Sequence, residues 1–273
     1  QISTMPFKSL WITTLFLPAL GQDEAPVIVG QTFMAGSADP TVGSTGWSLT
    51  SHGIAEKLFT VDEDGNIVGQ VAESVQKLNT DTWLNLKCDY KFSDGTLVTA
   101  EHVATALTRL NAENSGASAS LGDMTVTALG DFQVNIQSER ATPVMAAVLA
   151  EWPFVIFLNR GSEFIFTGPY KIETIWENDP ENDEENGQIV MAPNEHYPRA
   201  SERSHLTIKN FADGESLATA LAANEVDIAF HLPVDRLTEM RAADGITVKS
   251  FAVGYQYMMF HNIRRAPLSD VLV

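Results

Sequence analysis

The chain has 273 residues, 44% hydrophobic and 19% charged, a soluble globular composition long enough to bury its own core. Its formal charge of −18 repels polyanions, which argues against nucleic acid as a partner and anionic membranes as a docking surface. That charge serves solubility first, with attraction of cationic solutes as the second reading, and the single cysteine, Cys88, excludes an intrachain disulfide.

Taken from the N-terminus, Met5-Pro6-Phe7-Lys8 carries one basic residue and is followed by an apolar stretch from Leu10 to Leu20. Small residues at Ala19 and Gly21 then precede the polar Gln22-Asp23-Glu24. This order predicts a secretory signal with cleavage after Gly21, and residues 1–4 read as upstream of the initiator. Gln22, not a cysteine, stands directly after the cleavage point, so a lipoprotein anchor is not expected, and the mature protein is placed in the periplasm or outside the cell. A buried N-terminal helix is the competing reading.

Val27 to Phe33 is β-rich and predicts the first strand, and Gly36 to Gly46 a loop. The spacing of Leu49, Ile54 and Leu58 predicts a short helix over 48–58. Asp62-Glu63-Asp64-Gly65-Asn66 predicts a turn, and strands follow over 74–78 and 82–86. Cys88 falls at the end of this run and reads as a small core residue. Phe92-Ser93-Asp94-Gly95 predicts a tight turn, after which Thr99 caps a helix over 100–110. Residues 111–122 read as a small-residue loop, Gly130-Asp131 as a hairpin turn, and 143–149 as helix. Gly168-Pro169 breaks the chain before a strand over 170–176. Six acids fall in the nine residues from Glu177 to Glu185 without EF-hand spacing, which predicts a solvated hairpin tip. Strand 189–192 returns. Then come strand 206–208, helix 216–223, strand 226–230, helix 234–242 and strands over 247–253 and 257–260. The alternation predicts an α/β or mixed α+β fold.

Catalytic signatures are missing from the sequence. It has no Walker loop, no Gly-x-Gly-x-x-Gly, no Gly-x-Ser-x-Gly and no His-Glu-x-x-His. The histidines His52, His102, His196, His205, His231 and His261 never pair four apart, and each reads as surface or core before it reads as a ligand. No enzymatic activity, metal or cofactor is expected.

Several segments, in order, carry a resemblance. Ala55-Glu56-Lys57-Leu58-Phe59 is followed by Asp62 to Val68 and by Val71-Ala72-Glu73-Ser74. Tyr90 to Thr96 runs on to Thr99-Ala100-Glu101-His102-Val103, the most specific stretch. Phe166-Thr167-Gly168-Pro169-Tyr170, Pro193 to Tyr197, Ala220 to Ile228 and Phe260 to Asp270 complete the succession. Together these resemble the bacterial extracellular solute-binding protein family 5, which serves peptide, nickel and opine ABC importers. Most are turn and packing residues, so they speak for the scaffold and not for a ligand.

The resemblance implies a periplasmic-binding-protein-like type II fold with two lobes that close on a ligand. On that pattern, residues 22–46 and 163–273 form part of a discontinuous first lobe, residues 47–162 form an inserted small domain, and the second lobe is missing. The implied partners are a small-molecule ligand (peptide or metal chelate) and a membrane ABC permease, with the binding protein itself a monomer. In the family the loop after the first strand runs along the ligand, which implies ligand-binding roles for Ser44, Thr45, Trp47 and Ser48. Trp152 is added because its segment lies where nickel-binding members present arginines toward a chelate's carboxylates. Residues 151–157 contain no arginine, which speaks against an anionic nickel chelate unless Arg109 substitutes. Tyr257 and His261 read as core. The competing readings are a non-transporting fragment, an interaction or sensor protein, and, less favoured, a secreted hydrolase.

Overall fold

A computed structural model describes residues 25–78, 81–139, 142, 144–176 and 187–250. The chain divides into two compact units, Gln1–Pro233 and Val234–Val273. The expected signal sequence, the acidic run over 177–185, and the readings of Tyr257 and His261 lie outside the described residues.

In chain order the first unit begins with β1 (Val27–Gln31), α1 (Thr45–Ser51), β2 (Glu56–Lys57), β3 (Phe59–Val61) and β4 (Ile67–Gly69). It continues with β5 (Ala72–Leu78), β6 (Asp81–Leu86), α2 (Ala100–Glu113), α3 (Ser115–Leu121), β7 (Met124–Leu129), β8 (Gln133–Ser138) and α4 (Met145–Val148). It closes with β9 (Val155–Arg160), β10 (Glu163–Phe166), β11 (Tyr170–Trp176), β12 (Gln188–Pro193), β13 (Leu206–Asn210), α5 (Gly214–Ala222) and β14 (Ile228–Ala229). The described part of the second unit holds a 3₁₀ turn, Val234–Arg236, and α6 (Leu237–Ala242).

Strand pairing sorts the first unit. One sheet runs β11-β12-β13-β1-β14, with β1 parallel to both of its neighbours. The link from β13 through α5 to β14 is a crossover that passes β1, which parallel pairing requires. Asp227 fixes the start of β14 against β1: its backbone N–H donates to the Ile28 carbonyl at 2.8 Å, and its carboxylate accepts from the Ile28 N–H at 2.8 Å. A second, antiparallel sheet runs β5-β6-β8-β7 and turns at Gly130-Asp131 as the hairpin signal predicts. A third runs β10-β9-β2, and β3 pairs with β4 around the Asp62–Asn66 turn.

α2 packs on β7 and β9. Thr99 caps it: the Thr99 hydroxyl accepts from the His102 N–H, and His102 Nδ1 accepts from the Thr99 N–H. Its inward stripe, Val103, Leu107 and Leu110, is fully buried with Phe92, Leu84, Ile136, Phe154 and Ile156. A second cluster, Phe211, Leu217, Ala220 and Val226, seats α5 against the parallel sheet.

Several elements depart from the sequence expectations. The helix expected over 48–58 is α1, seven residues from Thr45 to Ser51. Gly53 takes a left-handed φ of 72° and ends it, and Glu56–Lys57 then pairs with β9 instead of continuing the turn. The loop expected over 111–122 is helical for most of its length. α2 runs on to Glu113, and Asn114 starts α3 by accepting from the Gly116 and Ala117 N–H groups. Cys88 is exposed in a turn, because β6 ends at Leu86. The strand expected over 226–230 shortens to Ile228–Ala229 as Asp227 caps Ile28, and residues 247–250 are not strand. No helix among the described residues is long and apolar enough to cross a membrane.

Candidate functional site

In an open α/β sheet, ligands gather beyond the carboxyl ends of parallel strands. β1 and β14 end side by side, and the residues just past them carry rings. Phe33 follows β1 and lies 4.6 Å from Trp47 of α1, with the rings tilted by 37°. It also lies 5.2 Å from His231, which follows β14 in a left-handed conformation at φ 67°. Trp47 is 39% exposed and Phe230 46%, so this edge presents an aromatic shelf to solvent.

His52 supports the shelf from inside. It is buried, stacks on Phe33 at 5.7 Å, and its Nε2 accepts the Ala35 N–H at 3.3 Å. Gln31 lies 3.3 Å from its Nδ1. Burial pushes its pKa down to about 4, so the ring is neutral near pH 7 and keeps the acceptor that the loop after β1 needs.

Along α1 a cleft of about 450 Å³, which Trp47 shares with the shelf, opens between Trp47, Thr50 and Ser51 of α1, Lys57 of β2, and Ala150, Glu151 and Trp152. Two features bring Trp152 there. Trp152–Phe154 forms a 3₁₀ turn with proline in its first turn. Gly46 lets α1 approach it so closely that an added Cβ would sit 2.7 Å from the Trp152 carbonyl oxygen. The Thr50 and Ser51 hydroxyls donate to the Trp47 carbonyl at 2.8 and 2.9 Å, which ties their oxygens to the helix.

Glu56 and Lys57 are consecutive in β2, so their side chains leave opposite faces. Glu56 points inward and is 3% exposed. Its carboxylate accepts from the hydroxyls of Tyr90 at 2.5 Å and Tyr197 at 2.9 Å, and from Gln70 Nε2 at 3.1 Å. Burial raises the Glu56 pKa, and these hydrogen bonds to its charged form oppose that rise. Burial, with the Glu56 charge beside it, pushes Tyr197 up to about 12 and Tyr90 higher still. Lys57 points the other way, into the cleft. Among the described residues its ammonium makes no hydrogen bond or salt bridge, and partial burial lowers its pKa against the raising effect of neighbouring Glu56.

Of the residues expected at the site, Trp47 and Trp152 come together in the cleft. Ser44 is exposed just ahead of α1, Thr45 is half-buried in its first turn, and Ser48 is buried, so none of the three lines the cleft. Arg109, the suggested substitute cation, is engaged elsewhere. It pairs with Asp39 at 3.3 Å and Glu113 at 3.0 Å and sits over the rings of Phe157 and Phe164. The sequence reading missed Phe33, His231 and Lys57 as site residues. A strand at 56–57 was the signal that would have exposed Lys57, because pleating separates it from Glu56. Among the described residues no group of three or more His, Cys, Asp or Glu is placed to hold a metal ion.

The model of a family described as bacterial extracellular solute-binding proteins, family 5 Middle, matches residues 66–273. The probable D,D-dipeptide-binding periplasmic protein DdpA of Escherichia coli (strain K12) is 26% identical over 277 residues, covering 89% of this chain and 50% of that protein. The nickel-binding protein NikA of Staphylococcus aureus is 24% identical over 204 residues, covering 72% of this chain and 40% of that protein. The chain thus spans about half the length of the curated relatives it matches. A crystal structure of a nickel ABC transporter protein from Bacillus halodurans superposes with a TM-score of 0.75 at 21% identity, over 90% of this chain and 51% of that one. The likeness of fold is to type II periplasmic binding proteins.

Proposed function

The chain belongs to the bacterial extracellular solute-binding proteins of family 5, and on that premise we propose that it captures a small solute outside the cytoplasm and delivers it to the permease of an ABC importer. The cargo is a short peptide first and a nickel or metallophore chelate second, the classes named for its relatives DdpA and NikA. The protein performs no chemistry on that cargo and acts as a monomer, exported by a cleavable signal. In the same reading, residues 22–46 and 163–273 belong to one lobe and residues 47–162 to an inserted domain.

The observation that carries the reading is the cleft that joins Trp47 and Trp152. Indole faces give a small solute large apolar contact at little entropic cost, and Thr50, Ser51, Lys57 and Glu151 set polar groups around them that can orient a ligand. The experiment is a thermal melt of the protein expressed from its whole reading frame, titrated with dipeptides, tripeptides, nickel and nickel–histidine. A ligand that binds only the folded state raises the midpoint as its concentration rises. A rise with one class names the cargo. A folded protein that responds to none of them refutes the import role.

A further inference from the structure

The cleft contains a cation that only the charge of neighbouring Glu56 supports, with no direct hydrogen bond or salt bridge among the described residues. Lys57 is half-buried, lines the cleft beside both tryptophans, and makes no hydrogen bond or salt bridge among the described residues. Its backbone is not free to adjust, since the Lys57 N–H donates to Gln70 Oε1 at 3.0 Å and β2 pairs with β9. Glu56 is taken up by Tyr90, Tyr197 and Gln70, and Arg109 by Asp39 and Glu113.

Burial outweighs the support from Glu56, so the half-buried ammonium keeps a desolvation cost that an incoming anion would offset. The need for such a group here is strong. The whole chain carries a formal charge of −18, a field that repels carboxylates, so an anionic ligand must meet a local cation. Lys57 is the cationic residue among those lining the cleft, and Glu151 is the acidic one. Glu151 repels a second carboxylate, so a singly charged or zwitterionic end fits better than a dianion.

We propose that Lys57 is a ligand-binding residue that pairs with a carboxylate of the cargo while Trp47 and Trp152 hold the adjoining apolar part. The inference rests on the import reading and deepens it by naming the chemical group that the cleft recognises. A peptide C-terminus and the carboxylate of a metal-bound amino acid share that chemistry.

The test uses calorimetry and tryptophan fluorescence on the protein from its whole reading frame, as wild type, K57M and K57R. The probes are D-alanyl-D-alanine and its C-terminal amide, and nickel with L-histidine or with L-histidinamide. The thermal midpoint of each variant first establishes that it is folded. The acid of one pair binds wild type about tenfold to a hundredfold tighter than its amide, the range of a hydrogen bond to a charged group. K57M removes that preference and K57R retains most of it. The pair that responds distinguishes a peptide source from a chelate source. Binding that is equal for acid and amide, or unchanged in K57M, overturns the role of Lys57 and leaves the import reading standing. Silence from every probe overturns both.

Discussion

Glu56 and Lys57 are chain neighbours with opposite fates. Glu56 is sealed inside with every hydrogen-bond partner it needs, supplied by Tyr90, Tyr197 and Gln70. Lys57 stands in an open cleft without one among the described residues. Strand pleating puts them on opposite faces, and the surroundings do the rest. A polar group satisfied by its own fold reports architecture, because removing it damages folding. One left unsatisfied at a concave surface reports recognition, because the fold tolerates its loss and a ligand does not.

The comparison breaks first at Glu56. Glu56→Ala leaves two tyrosine hydroxyls and an amide, all half-buried, without their acceptor, and should lower the unfolding free energy by about 3 kcal/mol. Urea denaturation measures this, and a loss below about 1 kcal/mol would mean that the knot is wet or rearranges.

His52 gives the next effect, through pH. Its folded pKa of about 4 lies below the ordinary 6.5, so as pH falls the unfolded chain takes up the proton first. Its contribution is therefore complete above pH 6.5 and lost between 6.5 and about 4, amounting to about 3 kcal/mol. Glu56 has the opposite sign, since a raised carboxyl pKa means that the folded state holds its proton longer and loses stability as pH rises through that pKa. Denaturation of wild type against H52Q across this range separates the two. The stability gap between them should shrink toward pH 4, and a constant gap would show that His52 does not titrate as placed.

Gly46→Ala forces α1 off the Trp152 carbonyl and should cost about 2 kcal/mol while altering the fluorescence of the cleft tryptophans. An unchanged midpoint would mean that α1 and the Trp152 turn are loosely held. The smallest effect is at Lys57. K57M should change stability by no more than about 0.5 kcal/mol. A large loss there would move Lys57 into the same class as Glu56 and dissolve the contrast.

Much of the fold was legible because it depends on local chemistry. The Thr99 cap, the Gly130-Asp131 hairpin, the Asp62–Asn66 turn and the Gly168-Pro169 break all lie where their residue types predict. Asn114 shows the limit. Its side chain starts a helix through a small-residue stretch that reads as loop, and the burial of Ala117 and Leu121 that rewards the helix is a tertiary fact. Cys88 fails for the same reason, since only the end of β6 pairing decides that it is exposed.

Trp47 and Trp152 could be named from the sequence by resemblance, yet they are 105 residues apart, and only packing of the Trp152 turn against α1 makes them one cleft. The sequence by itself determined the composition, the turn chemistry, the amphipathic stripe of α2 and the ordered succession of segments that marks the family. Tertiary structure alone decided which face of β2 looks inward, that Arg109 is already engaged, and that Phe33, Trp47 and His231 share one edge. Periodicity and capping act over a few residues. Strand pairing and burial join residues far apart in the chain, and the partner that satisfies or abandons a charge comes from that second set.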